Sequence, residues 1–430
     1  MKKIVASVGL VALGASGLQI ASAQDVVGPD TSKPWSISAT LRGFYDDNPG
    51  TVENSAKMKD RDSFGFEVSP EFALAWSMQQ TTINLGLLYS LRYYENIPTY
   101  ANGMPARFTE HADQVFTFSI GLTHAFSEQV RLRLSDSFVI GQEPDVLRAG
   151  NTYSTFYRAS GDNIRNSASL GLDAQLAPKL GLGFGYDNSL YDYKNSGGSV
   201  VSPSLSGLLD RMEHRAHLEG LYQLGPETKG ILGYQFSEID YTGDEFVAGD
   251  PFSPSTWVQS DIRNTRGHTV YVGAEHNFTR QMSGSVRVGG TYTDYYNNDG
   301  ADASWTPYVN ASLKYAYAAG SSASIGFSYD RNATDVIALD AESAVIFASV
   351  THQLDARLFL NAMAQFQNST YNGGTANNES EQYYLAGLNL EYKFNQYLSG
   401  HVGYNYDRLE SDMGRTFDRN RVYLGVTARY

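Results

Sequence analysis

His124, His276 and His352 are the side chains best suited to hold a metal or move a proton. Each stands two residues before an apolar residue, Phe126, Phe278 or Leu354, that closes a short turn. Tyr222 and Tyr392 hold the same place before Leu224 and Phe394. A position that takes imidazole and phenol alike suits an amphipathic ring at a membrane interface better than a ligand set. There is no cysteine, which removes disulfides, thiolate metal sites, thiol catalysis and a lipid-modified N-terminal Cys. Gly-x-Ser-x-Gly, His-Glu-x-x-His and phosphate-loop patterns are missing. The acidic stretch DYYNNDGADA fails as an EF-hand loop. With Gly300 in sixth place, Tyr295 stands where Asp is needed. The expectation is no enzyme, no metal and no cofactor.

The remaining chemistry is binding by charge. Arg42, Arg92, Arg131, Arg133, Arg165, Arg215, Arg287, Lys314, Arg357, Lys393, Arg421 and Arg429 fall on the polar side of alternating segments. Glu67, Glu71, Asp173, Glu219, Glu275 and Glu391 share that side. The other acids gather in stretches such as DDNPGTVENS, YTGDEFVAGD and NNDGADAS. An acidic chain thus carries one face that reads as net basic. Rings of Arg and Lys favour anions in a pore. The same residues could instead pair across strands and stiffen a wall. An overall charge of −14 argues against nucleic acid as a partner.

The elements that position these charges are strands. Trp35, Ile37, Ala39 and Leu41 alternate with Ser36, Ser38, Thr40 and Arg42. Phe116, Phe118, Ile120 and Leu122 alternate with Thr117, Ser119, Gly121 and Thr123. Period two over such lengths means one apolar and one polar face. With 41 Gly, 30 Tyr and no later run of the ~18 apolar residues a membrane helix needs, the pattern fits a transmembrane β-barrel. About eighteen segments can be counted, with sixteen to twenty as the range. They begin near Trp35, Phe64, Thr82, Asp113, Val130, Ile164, Leu180, Arg211, Lys229, Thr265, Ser283, Ser304, Ser322, Leu339, Arg357, Gln382, Tyr397 and Asn420. Short connections such as Pro178–Lys179 and Asn395–Gln396 alternate with long polar ones such as Asp47–Asp62 and Thr242–Asn264. An up-and-down barrel with short periplasmic turns and long extracellular loops has this asymmetry. The phasing puts Asp136 on the apolar side, which predicts a bulge in that strand.

Both ends carry export signals. Lys2 and Lys3, an apolar run to Ile20 and the small residues Ala21 and Ala23 read as a signal peptide over residues 1–23, for the general secretory pathway. Its removal takes two Lys and no acid, leaving about −16. Residues 24–34 read as a periplasmic segment and 35–430 as the barrel. The chain ends RVYLGVTARY. Gly425, Ala428 and Tyr430 resemble the terminal-strand signal that the bacterial barrel-assembly machinery reads.

The hairpin spacing, the strand tops GFYDDN and YNYDR, and the end YLGVTARY together resemble the putative beta-barrel porin type 2 family of bacterial outer-membrane proteins. The resemblance implies an outer-membrane pore among lipid and lipopolysaccharide, and in some members a role in polysaccharide export. The first expectation is passive diffusion of small hydrophilic solutes with an anion preference. Gly141–Gly161, with Glu143, Asp145 and Arg148, is the candidate constriction. The second is an exopolysaccharide exit pore with periplasmic partners, in which Phe44, Tyr94, Tyr271, Phe347, Phe359 and Tyr423 would stack on sugar rings. The third is a closed structural or adhesive surface barrel.

Overall fold

The computed structural model describes residues 33–105, 110–142, 161–200, 203–298 and 300–430. Alternation along the chain turns into one closed sheet. Eighteen strands pair in sequence order, all antiparallel. They run Trp35–Asp46, Ser63–Ser77, Thr81–Tyr94, Ala112–Ala125, Val130–Gly141, Asn163–Ala177, Leu180–Tyr193, Arg211–Gly225, Thr228–Tyr241, Thr265–Asn277, Met282–Asp294, Ser304–Ala318, Ser321–Asn332, Asp340–Gln353, Leu358–Asn372, Ser380–Lys393, Leu398–Ser411 and Phe417–Arg429. The first and last strands close the barrel, with Ser38 opposite Arg429 and Asp46 opposite Arg421. Closure leaves no unpaired edge in lipid. Ile37 and Tyr430 exchange both backbone hydrogen bonds at the seam, so the C-terminal residue extends the last rung.

The expected and observed strand starts differ by at most three residues. The largest gap is at the end, where Asn420 lies inside a strand that starts at Phe417. Asp418-Arg419-Asn420 reads as loop by composition. Arg419 is drawn into the ladder because its guanidinium reaches Asp46. The leader with Ala21 and Ala23, and the stretch from Glu143 to Arg148, lie outside the described residues.

The outer face is apolar in register. Ile37, Leu41, Phe64, Phe66 and Trp76 are exposed, while their neighbours Ser36, Ser38 and Ser63 are buried. The histidine positions form part of the turn-side girdle. His124 Nδ1 lies 2.8 Å from Thr81 Oγ1, and its ring meets Phe126 edge-on at 4.7 Å. His276 repeats this with Thr228 and Phe278, and His352 bonds the Tyr317 hydroxyl. The predicted bulge at Asp136 is not there. Ile120, Asp136 and Ala168 share an unbroken rung, so Asp136 does face outward.

Candidate functional site: the lumen wall

The inward residues of neighbouring strands build a lattice of charge. Asp46 is held by Arg419 and Arg421, each with an N–O distance of 2.7 Å. Arg421 also reaches the Tyr94 hydroxyl at 3.2 Å. Glu67 sits between Arg42 at 3.4 Å and Arg92 at 3.3 Å, and Arg92 continues to Asp113 at 3.2 Å. Arg42 Nε donates to His401 Nε2 at 2.7 Å. Further round, Arg287 Nε donates to Glu219 at 2.8 Å and the Tyr271 hydroxyl donates to the same oxygen at 3.0 Å. Arg287 also reaches Glu275 at 3.4 Å. Arg133 and Asp173 form another pair. These partners lie on adjacent strands or two to three strands apart.

The expectation of a net basic lumen needs correction. Asp46, Asp113, Asp187, Glu213, Asp330, Glu381 and Asp407 also lie on inward positions. Most sit at strand ends and read from composition as loop acids. Carrying the odd–even alternation to the end of each strand would have found them. Lys229, Arg211 and Arg419 were missed on the basic side. The two signs come close to balance. Much of the predicted basic set is therefore paired: Arg42, Arg133, Arg287 and Arg421 have carboxylate partners. Others are placed differently. Arg131 and Lys314 are exposed near the turn-side mouth, and neither has an ion pair among the described residues. Arg357 stands in the turn before Leu358, not in the strand. Lys393 lies over the Phe359 ring at 4.2 Å, and Arg429 lies across from Ser38.

The proposed stacking rings are drawn flat against the wall. The Tyr271 ring covers Gly233, where an added Cβ would come within 2.2 Å of it. Tyr423 covers Gly403 in the same way, at 2.1 Å, and its hydroxyl donates to Asn389. Only glycine leaves room for such a fit. Phe44 packs edge-on against Tyr94 at 5.3 Å. With Phe44 at 6% and Tyr271 at 3% exposure, these two are wall packing and offer no open face to a sugar. Phe347 is inward and half-buried.

A recess in the wall is lined by Asp187, Ser189, Arg215, Gln235, Ser237, Thr269, Thr291, Thr293 and Asp330, among others. Hydroxyls share it with the carboxylates of Asp187, Glu213, Glu238, Asp330 and Asp340 and the guanidiniums of Arg215 and Arg331, and Thr269 and Thr291 bond each other at 2.9 Å. Nε of Arg215 and, on the nearby strand, Nε and Nη2 of Arg165 have no hydrogen-bond partner.

Above the lumen, extracellular loops fold over one another. The helix Leu205–Leu209 is N-capped by Ser204, whose hydroxyl accepts from the Gly207 amide. Arg263 donates to the Gly207 and Leu208 carbonyls at 3.1 and 2.7 Å. The connection 333–339 is tied down by Arg415, which bridges Asp335 at 3.1 Å and Glu381 at 2.6 Å. Burial alone would lower the Arg415 pKa, but those carboxylates hold it well above its ordinary value. The candidate constriction Gly141–Gly161 lies for the most part outside the described residues. Asp335 and Arg415 are 80 residues apart and carry no local signal.

A closed antiparallel barrel, apolar outside and polar within, with short turns at one end and long loops at the other, defines a bacterial outer-membrane pore protein. The chain belongs to the family described as putative beta-barrel porin 2, whose model matches residues 35–430. It is a porin-like outer-membrane channel and not an enzyme. Among solved structures it is similar to OpdK of Pseudomonas aeruginosa, crystallised with vanillate, at 10% identity and TM-score 0.44 over 92% of this chain and 99% of that one. A BenF-like porin from Pseudomonas fluorescens Pf-5 gives 10% identity and TM-score 0.47, with 92% and 99% covered. OccAB4 of Acinetobacter baumannii gives 13% and 0.44, with 93% and 99% covered. No curated protein matches the chain.

Proposed function

We propose that the barrel lets small hydrophilic solutes diffuse passively through the outer membrane, with a modest preference for anions. The preference rests on which lumenal charges remain open. Asp46, Glu67, Asp113, Asp173, Glu219 and Glu275 are committed to guanidinium partners, while the inward Glu71 and Glu391 have no ion pair among the described residues and keep the preference modest. Arg131 and Lys314 stay exposed without one. A paired carboxylate projects little field beyond its partner, whereas an unpaired cation in a narrow aqueous lumen attracts anions. The recess, with its hydroxyls and carboxylates, would hold the hydroxyls of a passing solute.

The test is single-channel recording of the purified protein in a planar bilayer, with reversal potentials under a salt gradient. Ohmic conductance reversing on the anion side is expected. The double variant Arg131→Glu, Lys314→Glu should move the reversal potential toward cations. Cation preference in the wild type, or no shift in the variant, overturns the charge reading. Absence of conductance overturns the channel reading in favour of a closed surface barrel.

A further inference from the structure

We propose that the outer wall formed by Val130–Gly141, Asn163–Ala177, Leu180–Tyr193 and Arg211–Gly225 is an interface for a second copy of this chain in the plane of the membrane. The starting observation is Asp136. It stands six residues from the turn end of its strand. At ~3.3 Å per residue and the usual tilt that is about 15 Å up, near the middle of a ~25 Å apolar band. Its outward neighbours on the strand are Leu132 and Leu134 below, and Phe138 and Ile140 above. Its rung carries Ile120 and Ala168. One side chain answers it: Asn166 Nδ2 donates to Oδ2 at 3.0 Å.

The polar side chains continue along the wall. Asn188 Nδ2 lies 3.2 Å from His214 Nδ1, which is also 2.8 Å from the Tyr186 hydroxyl. Asn166, Asn188 and His214 each have an apolar outward residue above them, Ile164, Leu190 and Met212. On the other strands the outward polar side chains sit toward the ends, as Gln114, Glu238 and Arg408 do, and His268, which bonds Tyr234 as His214 bonds Tyr186, lies directly below the outward Arg266. The four-strand patch is thus the place where polarity descends into the lipid band.

Acyl chains supply no donors or acceptors, and one amide does not replace the hydration of a carboxylate. The occupant must be another membrane-embedded wall with polar groups at the same depth. A second copy in the same orientation meets that condition by construction. The patch is also self-complementary in kind: the Asp136 carboxylate is an acceptor, and His214, whose Nδ1 faces the Tyr186 hydroxyl and the Asn188 amide, has its Nε2 left to donate. The small outward residues Ala168, Ala216 and Gly220 let two walls approach closely. Four tilted strands across the band give about 600 Å² on each copy, enough to pass the ~1,000 Å² total at which specific interfaces begin.

The chain has no cysteine, so a single one can report contact. Ala168→Cys lies in the patch. Ala364→Cys lies on the outward face of Leu358–Asn372, far round the barrel. Each mature variant is reconstituted in phosphatidylethanolamine–phosphatidylglycerol vesicles, its fold is checked by heat-modifiable migration, and it is treated with a short bis-maleimide. Ala168→Cys should give several-fold more covalent dimer than Ala364→Cys. Adding Asp136→Leu should bring that yield down to the Ala364 level. Equal yields from the two cysteines, or a yield indifferent to Asp136→Leu, overturns the interface. An adduct to a different protein, formed in whole cells but not in vesicles, overturns the second copy as occupant.

Discussion

Replacing Glu219 with Ala asks whether the lumen wall is a packed polar layer or a set of water-exposed charges. Glu219 and Arg287 are 3% and 4% exposed at their side chains. The carboxylate accepts from Arg287 Nε at 2.8 Å, Arg287 Nη2 at 3.4 Å and the Tyr271 hydroxyl at 3.0 Å. Its loss leaves the guanidinium with Glu275 at 3.4 Å and leaves the Tyr271 hydroxyl without an acceptor. Breaking a buried pair by removing one partner costs about 3–5 kcal/mol, against ~0–1 for an exposed pair. Glu275 survives as a partner and is 22% exposed, so about 3 kcal/mol is expected. The assay is urea unfolding of the folded barrel in lipid, followed by tryptophan fluorescence and heat-modifiable migration. The double variant Glu219→Ala, Arg287→Met removes both charges and should recover part of the loss, as a packed apolar replacement does. A loss under about 1 kcal/mol in the single variant, with no recovery in the double, would mean that water already solvates these groups and would refute the packed wall.

Three other outcomes follow. Arg415→Ala cuts the bridge from Asp335 to Glu381, so connection 333–339 should loosen and single-channel conductance should rise with more frequent gating; an unchanged trace would show that this loop does not restrict the path. Gly233→Val puts atoms where the Tyr271 ring lies and should destabilise the barrel by about 1–3 kcal/mol, as overpacking does; adding Tyr271→Ala should relieve it, and failure of that rescue counts against the ring-on-glycine fit. Deleting Tyr430, or replacing it with Asp, should lower the amount of protein in outer-membrane fractions sharply. Wild-type levels would refute the role of Gly425, Ala428 and Tyr430 in assembly.

Period two, read with turn length, was enough to give about eighteen strands, within a range of sixteen to twenty, together with the antiparallel order and the two unlike ends of the barrel. That legibility has a simple cause. Lipid outside and polarity inside impose the alternation on every strand, and bilayer thickness limits strand length. Asp136 shows both the reach and the limit of such reasoning. Alternation placed it outward correctly, yet the placement looked like an error because one strand alone cannot show that Asn166, Asn188 and His214 continue the row. The lumen was the harder surface. Alternation says that Arg42 or Glu219 points inward, but not which partner it meets, since Arg287 finds Glu219 across 68 residues. Asp46 read as part of a loop stretch until closure set it beside Arg419 and Arg421. The sequence by itself therefore determined the architecture and the side on which each strand residue lies, because both are local consequences of the membrane as solvent. Only the tertiary structure decided which lumenal charges are neutralised, which rings lie flat on glycine and which loops are tied to one another, because these depend on distances between strands that register and closure alone establish.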